Sequence, residues 1–262
     1  MSLFIRRSLL SQIEAGALNA KSDLASVLRM CVALGGRSGS SELSDWARKE
    51  LNGYSGDGDV PSYRWLNAPL QIDAIEGGRH LYRRKQISTW DLPDFAQETW
   101  KEGLRLTFGV GELQRLAKRT GVVDLQPDGM ADVMYFMNNH GSYNMVIQRL
   151  YFAVQPDAIH GVLDNIRTTL VGLVAEMRTA GVSSKGVPSQ KAADQAVQII
   201  VKGRARPTIN TAVGDGATAS MTVQTSHDTE ARIPGWIRGP WGFTIGAATI
   251  LSGIAVVVAW LH

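Results

Sequence analysis

The side chains able to do chemistry are few and scattered. The five histidines, His80, His140, His160, His227 and His262, stand in none of the HxxxH, HExxH or HxE…Cys spacings that present ligands to zinc. The one cysteine, Cys31, excludes an internal disulfide framework and any multi-cysteine zinc or iron–sulfur site. It sits on an apolar helical stripe and reads as a core thiol rather than a nucleophile. There is no GxSxG elbow, no phosphate-binding P-loop and no dinucleotide fingerprint, and Gly109-Val-Gly111 is too short to stand for one. Asp57 and Asp59, flanked by glycines, lack the other ligands and the closing glutamate of a calcium loop, so they read as a solvated turn. The carboxylate pairs Asp91/Asp94 and Asp124/Asp128 read as helix-end and turn residues. No catalytic residue, metal or cofactor is expected. Two basic clusters remain. His80 with Arg83, Arg84 and Lys85 forms one, and Lys202 with Arg204 and Arg206 the other. Each suits a phosphate-rich ligand, and the second equally suits anionic lipid headgroups. A solvated basic face is the competing reading of both.

The elements that must carry these residues follow from hydrophobic spacing. At 262 residues, 44% hydrophobic and 19% charged, the chain is neither disordered nor polytopic, and its net charge of +3 is too small to be a nucleic-acid signature alone. The first fifty residues read as three short helices. Ile5, Leu9, Ile13 and Ala17 mark the first. Ser22 is placed to cap the second, whose stripe of Leu24, Val27, Leu28, Cys31 and Leu34 ends at Gly35-Gly36. The third starts near Ser40-Ser41, buries Leu43, Trp46, Ala47 and Leu51, and stops at Gly53. Strand-like pieces follow between 64 and 90, including Leu70 to Ile75. Trp90-Asp-Leu-Pro93 leads into a helix through Trp100. Leu104 to Phe108 alternates like a strand, Glu112 to Arg119 reads as helix and Gln148 to Val154 as strand. A long helix then starts at Pro156 and stops at Gly181. No regular βαβ rhythm appears, so the expected class is α+β: N-terminal helical hairpins with a small mixed sheet. After a linker over 181–194 the period changes to two. Val197, Ile199 and Val201, then Ile209 and Val213, then Ala217, Ala219, Met221 and Val223 suggest a short C-terminal β segment over 195–225.

The C-terminus departs from the average composition. From Trp241 to Leu261 no residue is charged, and the run covers about 30 Å as a helix, enough for one transmembrane α-helix. Trp236, Trp241 and Trp260 stand where interfacial tryptophans stand. Arg232 and Arg238 precede the run, so the positive-inside tendency keeps residues 1–240 cytoplasmic, with 226–240 as a juxtamembrane linker. Gly242, Gly246, Thr249 and Gly253 fall on one face, and small residues there let neighbouring spans pack closely.

The string Trp46-Ala-Arg-Lys-Glu-Leu-Asn-Gly-Tyr54, with Val60-Pro-Ser-Tyr-Arg64 after it, resembles the AbiTii domain of bacterial abortive-infection proteins. Its signature residues here are Trp46, Glu50, Leu51, Asn52, Gly53 and Tyr54. In physical terms, Trp46 and Leu51 anchor the third helix, Gly53 permits a left-handed termination and Tyr54 folds the exit back. The helix around Leu163-Asp-Asn-Ile-Arg-Thr-Thr-Leu170 is similar to the family's late helix. The resemblance covers roughly residues 3 to 180, so 1–180 is the expected AbiTii-like domain. It implies defence against phage and supplies no catalytic residues. The combined expectation is a single-pass protein of the bacterial inner membrane. Its partners are the lipid bilayer, further copies of itself, and a partner defence protein or a nucleotide or nucleic-acid signal. It would oligomerise and perturb the membrane when its cytoplasmic domain receives that signal. The alternative is a binding or adaptor module for a protein or nucleic-acid partner, held by a passive anchor.

Overall fold

Short polar side chains start the first three helices. Ser8, Asp23 and Ser40 each accept a backbone N–H at the start of α1 (Leu9–Leu18), α2 (Leu24–Ser38) and α3 (Ser41–Asn52). The computed structural model describes residues 8–55, 60–141, 145–182 and 186–203, which belong to one folded unit. Asp23 rather than Ser22 caps α2, because its carboxylate reaches both the N–H and the hydroxyl of Ser26. α2 also continues through Gly35-Gly36 and stops at Gly39, which takes the left-handed conformation with φ 76°. Gly35 has a different job: a Cβ there would collide with Ser44, so its absence lets α3 cross close to α2.

A turn over Ser62–Arg64 leads into β1 (Trp65–Leu66), β2 (Leu70–Glu76), β3 (His80–Ile87), α4 (Asp94–Trp100), β4 (Leu104–Arg105), α5 (Val110–Ala117), β5 (Val123–Leu125), α6 (Met130–His140), β6 (Met145–Val154), α7 (Pro156–Thr179) and α8 (Gln190–Ile200). The class is α+β. The main sheet has the order β3-β2-β6-β5 with every pair antiparallel, and β1 pairs with β4 separately. The expected mixed sheet is therefore an antiparallel one. A tight Gly77-Gly78 hairpin joins β2 to β3, and β6 returns through α6 without a parallel crossover. The expected strand over 104–108 shrinks to Leu104–Arg105, because its partner β1 is only two residues long and follows directly on the Ser62–Arg64 turn, and Phe108 bridges Gly53 instead.

The largest correction concerns residues 190–201. Val197, Ile199 and Val201 do not begin a β segment; they lie on or just after α8, which Ser189 caps inside the expected linker. The buried residues of this helix are Ala192, Ala193, Ala196 and Val197, a period of 3.6 carried mostly by alanine. α8 is then fixed to α3. Ser40 Oγ donates to Asp194 Oδ1 (2.6 Å), Gln198 donates to the Glu42 carboxylate, and Lys202 Nζ lies 3.2 Å from Glu42 Oε2.

One sheet face, with Leu70, Ile72, Leu150, Phe152 and Val154, joins the helices in a single core. The other carries Gln71, Asp73, Ile75, Val146, Arg149 and Tyr151. α6 closes the edge of β6 that lies away from β2: the Asn138 amide accepts the Ile147 N–H (2.8 Å) and donates to its carbonyl (2.9 Å). α7 packs on α1, α5 and α8. From it, Arg167 donates to the carbonyls of Gly16, Asn19, Ala20 and Ser22 at 2.6–3.3 Å, which takes up one carbonyl of the last turn of α1 and three of the turn that leads to α2.

No helix among the described residues is long and apolar enough to cross a membrane. Ile5, the Asp57/Asp59 turn, the strands read over 209–223, the linker 226–240 and the span 241–261 lie outside the described residues.

Candidate functional site

The signature string builds a buried polar centre. Helical spacing puts Glu50 one turn beyond Trp46 on the inner face of α3, where an ionised carboxylate needs partners. They come from the chain immediately downstream. Tyr54 and Tyr63 donate their hydroxyls to Glu50 Oε1 at 2.5 and 2.7 Å, and Trp46 Nε1 donates to the Tyr63 oxygen at 2.9 Å. Arg64 donates from Nη2 to Glu50 Oε2 at 2.6 Å and from Nε to both carboxylate oxygens. Its Nη1 bonds the carbonyls of Leu106 (3.0 Å) and Phe108 (2.7 Å), and its guanidinium lies over the Tyr54 ring, 4.9 Å from the centroid. Both charged side chains are 0% exposed. Burial, and then the Glu50 charge, push both tyrosine hydroxyls far above their ordinary range, so they stay protonated donors.

Gly53 ends α3 with φ 99° and ψ 171°, an extended glycine conformation rather than the expected left-handed turn. A Cβ there would press on the Thr107 carbonyl, and the bridge to Phe108 requires that close approach. The Tyr54 N–H then bonds the Thr107 carbonyl at 2.8 Å, which folds the exit back. Leu51 is half-buried against the core and Asn52 closes the helix. Beside this centre lies an open groove of about 430 Å³ between α3 and α8, lined by Trp46, Tyr54, Val60 and Pro61 with Glu42, Asp45, Lys49 and Lys202 at its rim.

The first basic cluster lies on β3, an edge strand exposed along most of its length. His80, Arg83 and Lys85 face solvent, with Lys85 Nζ 4.5 Å from the Tyr82 ring centroid. Arg84 is engaged. A β-bulge gives it φ 53°, unusual for a residue with a Cβ, and its N–H bonds Asp73 Oδ1 at 2.8 Å. Its guanidinium pairs with Asp124 (3.1 Å), and Arg149 bridges Asp124 (3.0 Å) and Asp73 (3.2 Å). Tyr151 donates to Asp73 Oδ1 (3.0 Å), with Arg149 and Arg84 over its ring at 4.6 and 5.6 Å. Burial raises the Asp73 carboxyl, but the Arg84 N–H, the Tyr151 hydroxyl and Arg149 outweigh it and hold the group below its ordinary value of 3.8. The second cluster is not assembled on the described part: Lys202 pairs with Glu42, while Arg204 and Arg206, like Gly242, Gly246, Thr249 and Gly253, lie outside the described residues. Among the described residues no three of His, Cys, Asp and Glu stand close enough to hold a metal ion. Burial pushes the Cys31 thiol up to about 12.

Sequence reasoning does not pair Glu50 with Arg64, nor join Asp73, Asp124 and Arg149. The available signal is a charge on an apolar stripe: Glu50 among the inner positions of α3, and Asp73 in the apolar run of β2.

The fold and its centre define an α+β domain tied together by a buried Glu–Arg pair, with one polar sheet face. Residues 8–202 match the AbiTii family, and the chain belongs to that family. Membership points to abortive infection, a bacterial defence against phage. No curated protein and no solved structure matches the chain.

Proposed function

We propose that the chain is a membrane-anchored effector of abortive infection. Residues 241–261 hold it in the inner membrane, and the domain before them receives the signal of infection. Copies gather through the face of Gly242, Gly246, Thr249 and Gly253, and the gathered spans perturb the membrane. No chemical step is assigned to the domain. The observation that carries the reading is an uncharged, tryptophan-flanked run downstream of a domain of a phage-defence family. The test is Gly246→Leu with Gly253→Leu in infected cells. Phage protection and recovery of cross-linked copies from membranes should both fall; undiminished protection and cross-linking refute the reading.

A second reading, a passive anchor for a nucleic-acid-binding domain, is favoured by the solvent-facing Arg83 and Lys85 on β3. It expects that a foreign span replaces 241–261 without loss of protection, and that RNA or DNA binding weakens steeply with salt.

A further inference from the structure

The groove between α3 and α8 is a preformed seat. One wall is the face of α3 that carries Glu42, Asp45, Trp46 and Lys49, continued by Tyr54 and Pro61, and the other is Val197 and Val201 at the end of α8. Neither ring of the first wall is free to swing: Trp46 Nε1 holds the Tyr63 oxygen at 2.9 Å, and Tyr54 donates to Glu50 at 2.5 Å. The groove therefore needs no rearrangement before it is filled.

Its chemistry selects what fits. Aromatic rings edged by carboxylates suit an extended segment that bears a proline and an arginine. The proline is preset in the polyproline conformation and lies on the rings at little entropic cost, while the guanidinium pairs with a carboxylate. Among the rim charges, Glu42 already holds Gln198 and Lys202, and Lys49 is engaged as well. Asp45 meets Arg48 at 3.5 Å with both side chains exposed, so its carboxylate keeps acceptor capacity for a closer partner.

A segment of this kind begins where the groove does. The contacts between the helices step from Ser40–Asp194 to Glu42–Gln198 and Glu42–Lys202, so α3 and α8 advance in the same sense. Val201 and Lys202 line the groove, and Gly203 takes φ 65°, the left-handed conformation that breaks the helical path at its mouth. The residues that follow are Arg204, Ala205, Arg206, Pro207 and Thr208. Pro207 biases Arg206 towards an extended backbone. An extended chain advances about 3.3 Å per residue against about 1.5 Å for a helix. Counted from Lys202 beside Glu42, Arg204 comes level with Asp45 and Trp46, and Pro207 reaches the Tyr54 end. We infer that residues 204–208 occupy this groove as a strap made by the chain itself, with Arg204 on Asp45 and Pro207 on the rings. The same chain supplies the strap, rather than another copy, because a one-residue tether gives the segment a high effective concentration at the groove. Any partner that enters the groove displaces the strap first. The inference rests on neither reading of the function.

The experiment uses the full chain in mild detergent. Lys49→Cys with Ala205→Cys leaves Asp45, Arg204 and Pro207 in place, and the native Cys31 is buried out of reach. Oxidation with copper phenanthroline should join the two new cysteines within one chain. It should do so at least about tenfold faster than after Asp45→Lys or Pro207→Gly is added. Trypsin gives a second reading that needs no cysteine. Cleavage after Arg204 should be slow in the parent and at least about tenfold faster after Asp45→Lys, an exposed position whose variant should keep the parent's melting temperature. A disulfide that forms only between two chains overturns the inference, as does one whose rate ignores both added substitutions. Cleavage after Arg204 that is as fast in the parent as in Asp45→Lys overturns it too. None of these outcomes depends on phage protection, so the anchored-effector reading stands or falls separately.

Discussion

Replacing Arg64 with methionine removes one half of the most buried charge pair in the described domain. The methionine fills much of the volume, so the loss is electrostatic. Glu50 would keep the hydroxyls of Tyr54 and Tyr63 at 2.5 and 2.7 Å but lose the guanidinium that bonds both its oxygens. Leu106 and Phe108 would each lose a donor from a carbonyl now served at 3.0 and 2.7 Å. Stranding one member of a buried pair costs about 3–5 kcal/mol. That is about a fifth or more of the about 5–15 kcal/mol that stabilises a domain. The double variant Glu50→Leu with Arg64→Met strands no charge. Its loss should undercut the sum of the two single losses by at least about 2 kcal/mol. Urea titration followed by tryptophan fluorescence measures all four chains of the cycle. An Arg64→Met loss below about 1 kcal/mol, or single losses that add to within about 0.5 kcal/mol, would refute the idea that this pair holds α3 to the turn after it.

Three other outcomes follow from the geometry. Arg167→Ala opens four carbonyl contacts in the last turn of α1 and the turn that leads to α2 and should cost about 2–4 kcal/mol, with Arg167→Lys recovering only part of it; equal melting temperatures for Arg167→Lys and the parent would contradict the fork-like clamp. Because Asp73 titrates below 3.8 in the folded chain, the unfolded chain binds more protons on the acid side. Its contribution is present above about pH 4 and disappears as pH falls below that, so Asp73→Asn should flatten the acid-side fall in melting temperature. With its thiol pushed up to about 12, Cys31 should resist alkylation at about pH 8 until the domain unfolds, and rapid labelling of the folded chain would show that it is not core.

The helices legible from residue spacing were those whose bulky side chains make the stripe. Leu24, Leu28, Cys31 and Leu34 mark α2, and Ile159, Ile166, Leu170 and Leu173 mark α7. α8 hides because alanines carry its inner face, while Val197, Ile199 and Val201 imitate a strand's alternation. α6 hides because its Met130 and Val133 are buried but Tyr135 and Phe136 point outward, so no clean stripe forms. The signature string contains Glu50, Tyr54 and Trp46, but the centre they build is tertiary. Glu50 and Arg64 come from a helix and a separate turn, and only the return of Leu106 and Phe108 closes the cage. Asp73 and Arg149 meet because β2 and β6 are neighbours, a pairing that local periodicity does not contain.

The clasp between Arg167 and the carbonyls of residues 16–22 also constrains how the chain is born. α1 is made first and its clasp arrives late, just as β2 must wait for β6 before its second edge is covered. Contacts this far apart along the chain make folding slow. Throughout synthesis of the intervening segment the nascent chain therefore displays the open rim of β2, Leu70 and Ile72 included, to whatever holds unfinished polypeptides at the ribosome.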